Sequence, residues 1–120
     1  MAMYYFETKE ELVAEALLLL ADGFSHSLDS LLPEKATSGS RIVTALVESA
    51  LKSESRPMLM LWLEIVGLAV RGDEPYRATA RIFLARWIEW IQARLEPRQK
   101  HRAQALLAQV EGEVMIRLLK

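Results

Sequence analysis

Residues 74–95 read EPYRATARIFLARWIEWIQARL, and this stretch carries two apolar stripes at helical spacing. The first stripe contains Ala80, Phe83, Trp87 and Trp90. The second lies beside it and contains Leu84, Ile88, Ile91 and Leu95. An ordinary amphipathic helix buries one apolar stripe against its own domain. This segment therefore predicts a helix that is buried on one side and meets further apolar surface on the other.

Outside this stretch, helical spacing of apolar residues recurs between short breaks that contain Pro or Gly. Helices are predicted over about residues 8–32, 40–53, 57–70, 74–95 and 98–120. Thr8 with Glu11 matches a capping box, and Asp73 is predicted to cap the fourth helix. No segment alternates in the way a strand does. The chain is thus predicted to form one all-α domain over residues 1–120, an antiparallel bundle of about five helices.

Composition excludes several kinds of protein. The chain has no cysteine, which excludes disulfides and cysteine-ligated zinc and fits a cytoplasmic location. The net charge of −1 gives no overall attraction to nucleic acid or to an anionic membrane. The most apolar run, residues 58–70, contains Glu64 and is too short to cross a bilayer. We therefore expect no membrane partner.

Residues suited to catalysis are few. His26 and His101 are the two histidines, and neither has a carboxylate or a second histidine at metal-ligand spacing. No glycine-rich phosphate loop is present, since Ser38-Gly39-Ser40 reads as a linker. We therefore predict no catalytic residue, no metal and no cofactor, and we expect the protein not to be an enzyme.

The last predicted helix is also apolar on two sides. Its inner side carries leucines and valines, whereas its outer side carries small residues, which allow close helix approach, followed by larger apolar ones. We predict a homodimer interface on the last two helices, formed by Leu84, Ile88, Ile91, Ala105, Ala108, Gly112, Met115 and Ile116. Which side of residues 74–95 is core and which is interface stays open. The alternative is a wide core within one chain.

Aromatic and methionine residues concentrate in the third and fourth predicted helices. They suit a pliable pocket for a flat apolar ligand, and the candidates are Met58, Trp62, Glu64, Phe83, Trp87 and Trp90. A plain hydrophobic core is the alternative for the apolar members. Glu64 stands in an apolar run, so it either anchors a ligand in the pocket, pairs with Arg81 or Arg86, or faces solvent.

The N-terminal stretch YYFETKEELVAEAL, residues 4–17, resembles a junction of the tetracycline-repressor (TetR) family of bacterial regulators. In that family the junction follows the recognition helix. Phe6, Lys9 and Leu12 match the Phe-x-x-Lys-x-x-Leu part of the family pattern, and Tyr5 occupies the position usually held by His or Tyr. Residues 57–78 and 105–119 are similar to later helices of the family in a looser way.

The resemblance implies a C-terminal effector domain whose last two helices pair with those of a second subunit as a four-helix bundle. It also implies a small apolar or amphipathic effector inside the domain. DNA would be bound only through an N-terminal helix-turn-helix head that this sequence lacks, so residues 1–7 are expected to be a remnant of the junction. In that family, tyrosine and lysine at the junction touch DNA phosphates, so the resemblance implies that Tyr4, Tyr5 and Lys9 are remnants of that contact, although Met3 stands at the position of the phosphate-contacting tyrosine. Without a recognition helix, we expect no sequence-specific operator binding by these residues.

Together these observations predict the ligand-sensing and dimerisation domain of a TetR-like transcriptional repressor. A ligand would favour one arrangement of the first helix, which carries the junction, and so bias DNA binding by the attached heads. The alternative is a stand-alone helical interaction protein that forms mixed dimers with a full-length regulator. Co-purification with such a regulator would favour the alternative, whereas thermal stabilisation of the chain by a ligand would favour the sensor.

Overall fold

The computed structural model describes residues 9–32 and 35–120. Its α-helices are α1 (Lys9–Leu31), α2 (Gly39–Ala50), α3 (Arg56–Val70), α4 (Tyr76–Gln92) and α5 (Ala103–Leu119). Short 3-10 helices at Ser53–Ser55 and Pro97–Arg102 lead into α3 and α5. Within these residues no strand forms, and one isolated bridge pairs Thr37 with Leu95. The prediction of an all-α bundle of about five helices is confirmed.

The turn between α3 and α4 differs from the prediction. Gly72 has a φ of 89°, which glycine adopts without steric cost. The Asp73 N–H donates to a carbonyl of the last turn of α3 at 3.1 Å. Asp73 therefore completes the end of α3 and does not cap α4. The carboxylate of Glu74 accepts the Ala78 N–H at 3.2 Å instead, and α4 begins at Tyr76.

Two further helix boundaries differ for local reasons. The α2 helix begins where the Ser38 hydroxyl accepts the Arg41 N–H at 3.3 Å, and it ends at Ala50, a few residues earlier than predicted. The segment after Pro97 winds as a 3-10 helix, so α5 begins at residue 103 rather than 98. The capping box predicted at Thr8 lies outside the described residues.

The inward side of α4 crosses the two stripes seen in the sequence. Its buried line runs through Ala80, Phe83 and Ile91, with Trp87 half-buried between them and Leu95 buried beyond the helix. This spacing of three and four residues keeps successive side chains on one face. Members of both predicted stripes therefore face inward, and neither stripe is wholly core or wholly surface.

Two hydrophobic clusters form the core. The larger lies mainly between α2, α4 and α5 and includes Ile42 and Ile91, each fully buried. The smaller lies between α1, α3 and α4 and includes Leu17 and Phe83. Fully burying one such side chain contributes about 1.5–3 kcal/mol. Both α1 and α4 run through both clusters, and Trp87 of α4 packs against each of them.

Arg94 joins the end of α1 to the end of α4. Its side chain is buried, and its guanidinium donates to the Leu32 carbonyl at 2.7 Å, to the Trp90 carbonyl at 3.0 Å and to Asp29 Oδ1 at 2.6 Å. It also lies 3.7 Å from the centre of the Trp90 ring. Since every contact is polar or cation–π, the buried charge is well compensated.

Candidate ligand cavity

A cavity of about 80 Å³ lies where the two core clusters meet. We call it the seam cavity. Every α-helix contributes to its wall, which is mostly apolar. The lining residues are Ala21, Leu46, Ala50, Ser55, Met58, Leu59, Trp62, Phe83, Trp87, Leu107, Val110, Glu111 and Val114. Because the wall draws on both clusters, a molecule inside the cavity would touch both halves of the core at once.

Four of the six residues predicted to form a pocket line the seam cavity. They are Met58, Trp62, Phe83 and Trp87. The rings of Trp62 and Phe83 are tilted by 45° with their centres 5.5 Å apart, an arrangement that aromatic pairs favour. The structure thus brings together side chains from α3 and α4 that the sequence could place only on two separate helices.

Glu64 and Trp90 do not line the seam cavity. Glu64 comes two residues after Trp62, which turns its side chain about 200° around α3, and it is exposed. Of the open roles for Glu64, solvent exposure is therefore the one observed. The indole N–H of Trp90 donates to Asp29 Oδ1 at 2.8 Å near the end of α1, so its ring packs beside Arg94 instead of entering the cavity.

Glu111 is a polar lining residue that sequence reasoning missed. Its Oε2 accepts the indole N–H of Trp62 at 3.1 Å across the cavity wall. Burial raises the pKa of the Glu111 carboxyl, and the hydrogen bond from Trp62 offsets part of this rise. The sequence did contain a signal, because Glu111 follows the buried Leu107 by four residues and precedes the buried Val114 by three.

A second, more polar cavity of about 230 Å³ adjoins the first. It shares Ser55 and Met58 with the seam cavity. Hydroxyl groups and charges line it, at Ser27, Ser49, Lys52, Glu54 and Ser55. The Ser55 hydroxyl donates to the Ser49 carbonyl at 2.8 Å, which fixes the shared wall. An apolar cavity thus lies beside a polar one.

The predicted interface residues fall into two groups. Leu84, Met115 and Ile116 are exposed, by 39%, 50% and 57%, although they are large and apolar. Ala105 and Ala108 are also exposed, and Gly112 has open space where a Cβ would lie. We call these six residues the outer stripe. Ile88 is half-buried against the larger cluster, and Ile91 is 0% exposed within it, so Ile91 cannot face a partner.

The residues proposed to have touched DNA phosphates are only partly described. Lys9 is the first residue of α1 and is exposed. Tyr4 and Tyr5 lie outside the described residues. In residues 9–32 and 35–120, no three His, Cys, Asp or Glu side chains are grouped closely enough to hold a metal ion. In the same ranges, no helix is both long enough and apolar enough to span a membrane.

Comparison with family models, with curated proteins and with solved structures finds no match to this chain.

Proposed function

We propose that the chain is the ligand-sensing and dimerisation domain of a TetR-like transcriptional regulator. The observation that carries the proposal is the seam cavity, an apolar space with three aromatic rings and one part-buried carboxylate in its wall. Small-molecule sites have this character, since apolar walls provide affinity and a few polar groups orient the ligand. The resemblance of residues 4–17 to the TetR junction supplies the regulatory context.

The first helix is suited to carry a signal away from the cavity. Ala21 of α1 lines the seam cavity, so a ligand there would contact this helix directly. An ion pair between Asp22 and Arg86 and the contacts of Asp29 with Trp90 and Arg94 hold α1 to α4. A ligand that favours one setting of α1 would shift the population toward it. In the TetR family the DNA-binding head precedes this helix, so the shift would alter the separation of two heads.

The size of the cavity limits which ligands it can hold without a change in the helices. Sites for drug-sized ligands occupy roughly 300–1,000 Å³, whereas the seam cavity measures about 80 Å³. A compact ligand fits without change. A larger one would have to separate α1 or α3 from the rest of the bundle, which is the movement that a sensor needs.

Dimerisation is supported by the outer stripe. Its apolar side chains recur at spacings of three and four residues along α5, from Ala105 to Ile116, and Leu84 of α4 is exposed as well. Exposed apolar surface of this regularity is typical of a helix-pairing interface. Two copies that pair through the last two helices would form the four-helix bundle that the resemblance implies.

A cavity-filling variant tests the sensing proposal with benzene as the probe. Benzene at millimolar concentration should raise the Tm of the wild-type protein, because a ligand that binds only the folded state stabilises it. Ala50→Phe adds a ring inside the seam cavity and should abolish this rise. Ala78→Phe adds the same ring at an exposed position of α4 and should preserve it. An unchanged wild-type Tm, or an equal rise in Ala50→Phe, would contradict the proposal.

A further inference from the structure

We propose that the seam cavity binds a small organic cation, an amine or quaternary ammonium group held between Glu111 and the aromatic rings of Trp62, Phe83 and Trp87. The inference rests on the proposed ligand-sensing function and names the chemical class of the ligand.

Among the described residues, none forms an ion pair with the carboxylate of Glu111. Among the described residues that line the seam cavity, Glu111 is the one with an ionisable side chain. Its hydrogen-bond partner there, the indole N–H of Trp62, is neutral. A carboxylate removed from water without a cation is costly, and the raised pKa of Glu111 expresses that cost. A positively charged ligand would supply the counter-charge that the lining residues do not provide.

The aromatic rings favour the same ligand. Trp62, Phe83 and Trp87 line the cavity together, and the first two have ring centres 5.5 Å apart. Ring faces attract ammonium groups, most strongly where water is excluded, and aromatic walls are a common way to bind alkylated ammonium. An anionic ligand would be repelled by Glu111. A neutral apolar ligand would strip water from the carboxylate and offer no charge in return.

The adjoining polar cavity has room for a polar substituent on the cation. It begins at the shared Ser55 and Met58 and is lined by further hydroxyl groups and by Lys52 and Glu54. A ligand with an ammonium group near Glu111 and a hydroxyl group toward Ser55 would therefore use both cavities. Choline has this form and serves as a probe, without being claimed as the natural ligand.

The test compares choline with its uncharged carbon isostere, in which a quaternary carbon replaces the nitrogen. Binding of each probe is measured by calorimetry or by quenching of tryptophan fluorescence. The wild-type protein should bind choline about tenfold more tightly than the isostere, as expected for a desolvated cation–π and ionic contact. Glu111→Gln removes the charge but keeps an oxygen for Trp62, and its preference should fall to about twofold or less.

A matched control and a second readout keep the test decisive. Glu113→Gln removes the same charge from α5 next to Arg117 and away from the seam cavity, so its choline preference should persist. In the wild-type protein the preference should also fall as the pH is lowered, because protonation of Glu111 removes the attracting charge. Lys52 and Glu54 are the charged groups that line the adjoining polar cavity, and Glu54→Gln should leave this pH profile in place.

The outcomes separate the inference from the proposed function. Equal or tighter binding of the isostere by the wild-type protein would overturn the cation preference while leaving the cavity as a ligand site. An equal choline preference in Glu111→Gln and in the wild-type protein would overturn the role of Glu111. If neither probe binds, the cation proposal fails, and the benzene experiment decides whether the sensing function fails with it.

Discussion

At the scale of single residues, Glu111 links the cavity to the stability of the fold. Burial makes its carboxyl bind a proton more tightly in the folded chain than in the unfolded chain, whose ordinary pKa is 4.5. The stability that Glu111 contributes is therefore fully present below that ordinary value. It is lost as the pH rises through the raised pKa of the folded state.

We predict a pH-dependent advantage for Glu111→Gln. The glutamine side chain avoids burying a charge, and it can still accept the Trp62 N–H. Its free energy of unfolding should exceed that of the wild-type protein at neutral pH, and this difference should shrink as the pH approaches 4.5. Urea unfolding at several pH values measures it, with Glu113→Gln as the reference for an equal change in net charge. A difference that grows on acidification would contradict the prediction.

Arg94 differs from the other ion-paired residues because it is buried. Arg94→Met should lower the free energy of unfolding by about 2–4 kcal/mol, since it leaves the Leu32 carbonyl without its donor and removes the charged partner of Asp29, which then keeps only the Trp90 N–H. Arg86→Met is the control. The pair of Arg86 with Asp22 is exposed by 45% and 61%, so its loss should cost about 0.2–1 kcal/mol. Equal losses of unfolding free energy in the two variants would show that the burial of Arg94 does not increase its contribution to stability.

At the scale of helices, the two glycines within α3 and α5 offer a contrast. Gly67 and Gly112 both have open space where a Cβ would lie. Alanine at either position should therefore stabilise the folded chain by about 0.5–1 kcal/mol through helix propensity. Gly112 also belongs to the outer stripe, where a methyl group would separate two approaching helices.

We therefore predict that Gly112→Ala weakens dimerisation and that Gly67→Ala does not. Sedimentation equilibrium measures the dimer dissociation constant, and urea unfolding at low protein concentration measures the stability of the single chain. Gly112→Ala should raise both the dimer dissociation constant and the stability of the single chain, whereas Gly67→Ala should raise only the stability. A dissociation constant unchanged by Gly112→Ala would exclude close helix approach at this position.

Periodicity predicted the helices because a helix that is buried on one side needs apolar residues at regular spacing, and this spacing is visible in a short stretch of sequence. It could not predict their ends with equal success. Asp73 looks like a helix cap in sequence, but its backbone N–H donates to the end of α3. The carboxylate of Glu74 accepts an N–H of the first turn of α4 in its place. The start of α5 was missed because the segment after Pro97 adopts a 3-10 helix first. The cap at Glu74 and the 3-10 helix before α5 both depend on the backbone conformation of the connecting segment, which the spacing of apolar residues does not determine.

The cavity was predictable only in part for a related reason. Composition identified Met58, Trp62, Phe83 and Trp87, since aromatic residues and methionine on neighbouring helices tend to pack together. It could not reveal that Glu111 of α5 faces Trp62 of α3, because the pairing of these helices is a property of the whole bundle. Glu64 drew attention through its apolar sequence neighbours, yet the helical turn carries it to the surface.

At the scale of the whole molecule, the cavity marks a place where packing is incomplete. The two core clusters are each well buried, and Trp87 packs against both. The seam between them is lined by all five helices, so a ligand bound there would contact both clusters. A protein interior is close-packed elsewhere. Under the proposed function, a change of volume at the seam would act on α1, because α1 has residues in both clusters.

The proposed dimer concerns the whole molecule, and it would give the melting temperature a dependence on protein concentration. If two copies pair through the outer stripe, unfolding is coupled to dissociation, and the wild-type Tm should rise with concentration. Ile116→Lys places a charge on the stripe in the last turns of α5, where a cation suits the helix dipole. It should remove the concentration dependence and give a monomer in light scattering. Leu19→Lys, at an exposed position of α1, should behave as the wild-type protein does. A wild-type Tm that is constant over a hundredfold range of concentration would rule out the proposed dimer. When unfolding is coupled to dissociation, mass action requires the Tm to rise with protein concentration.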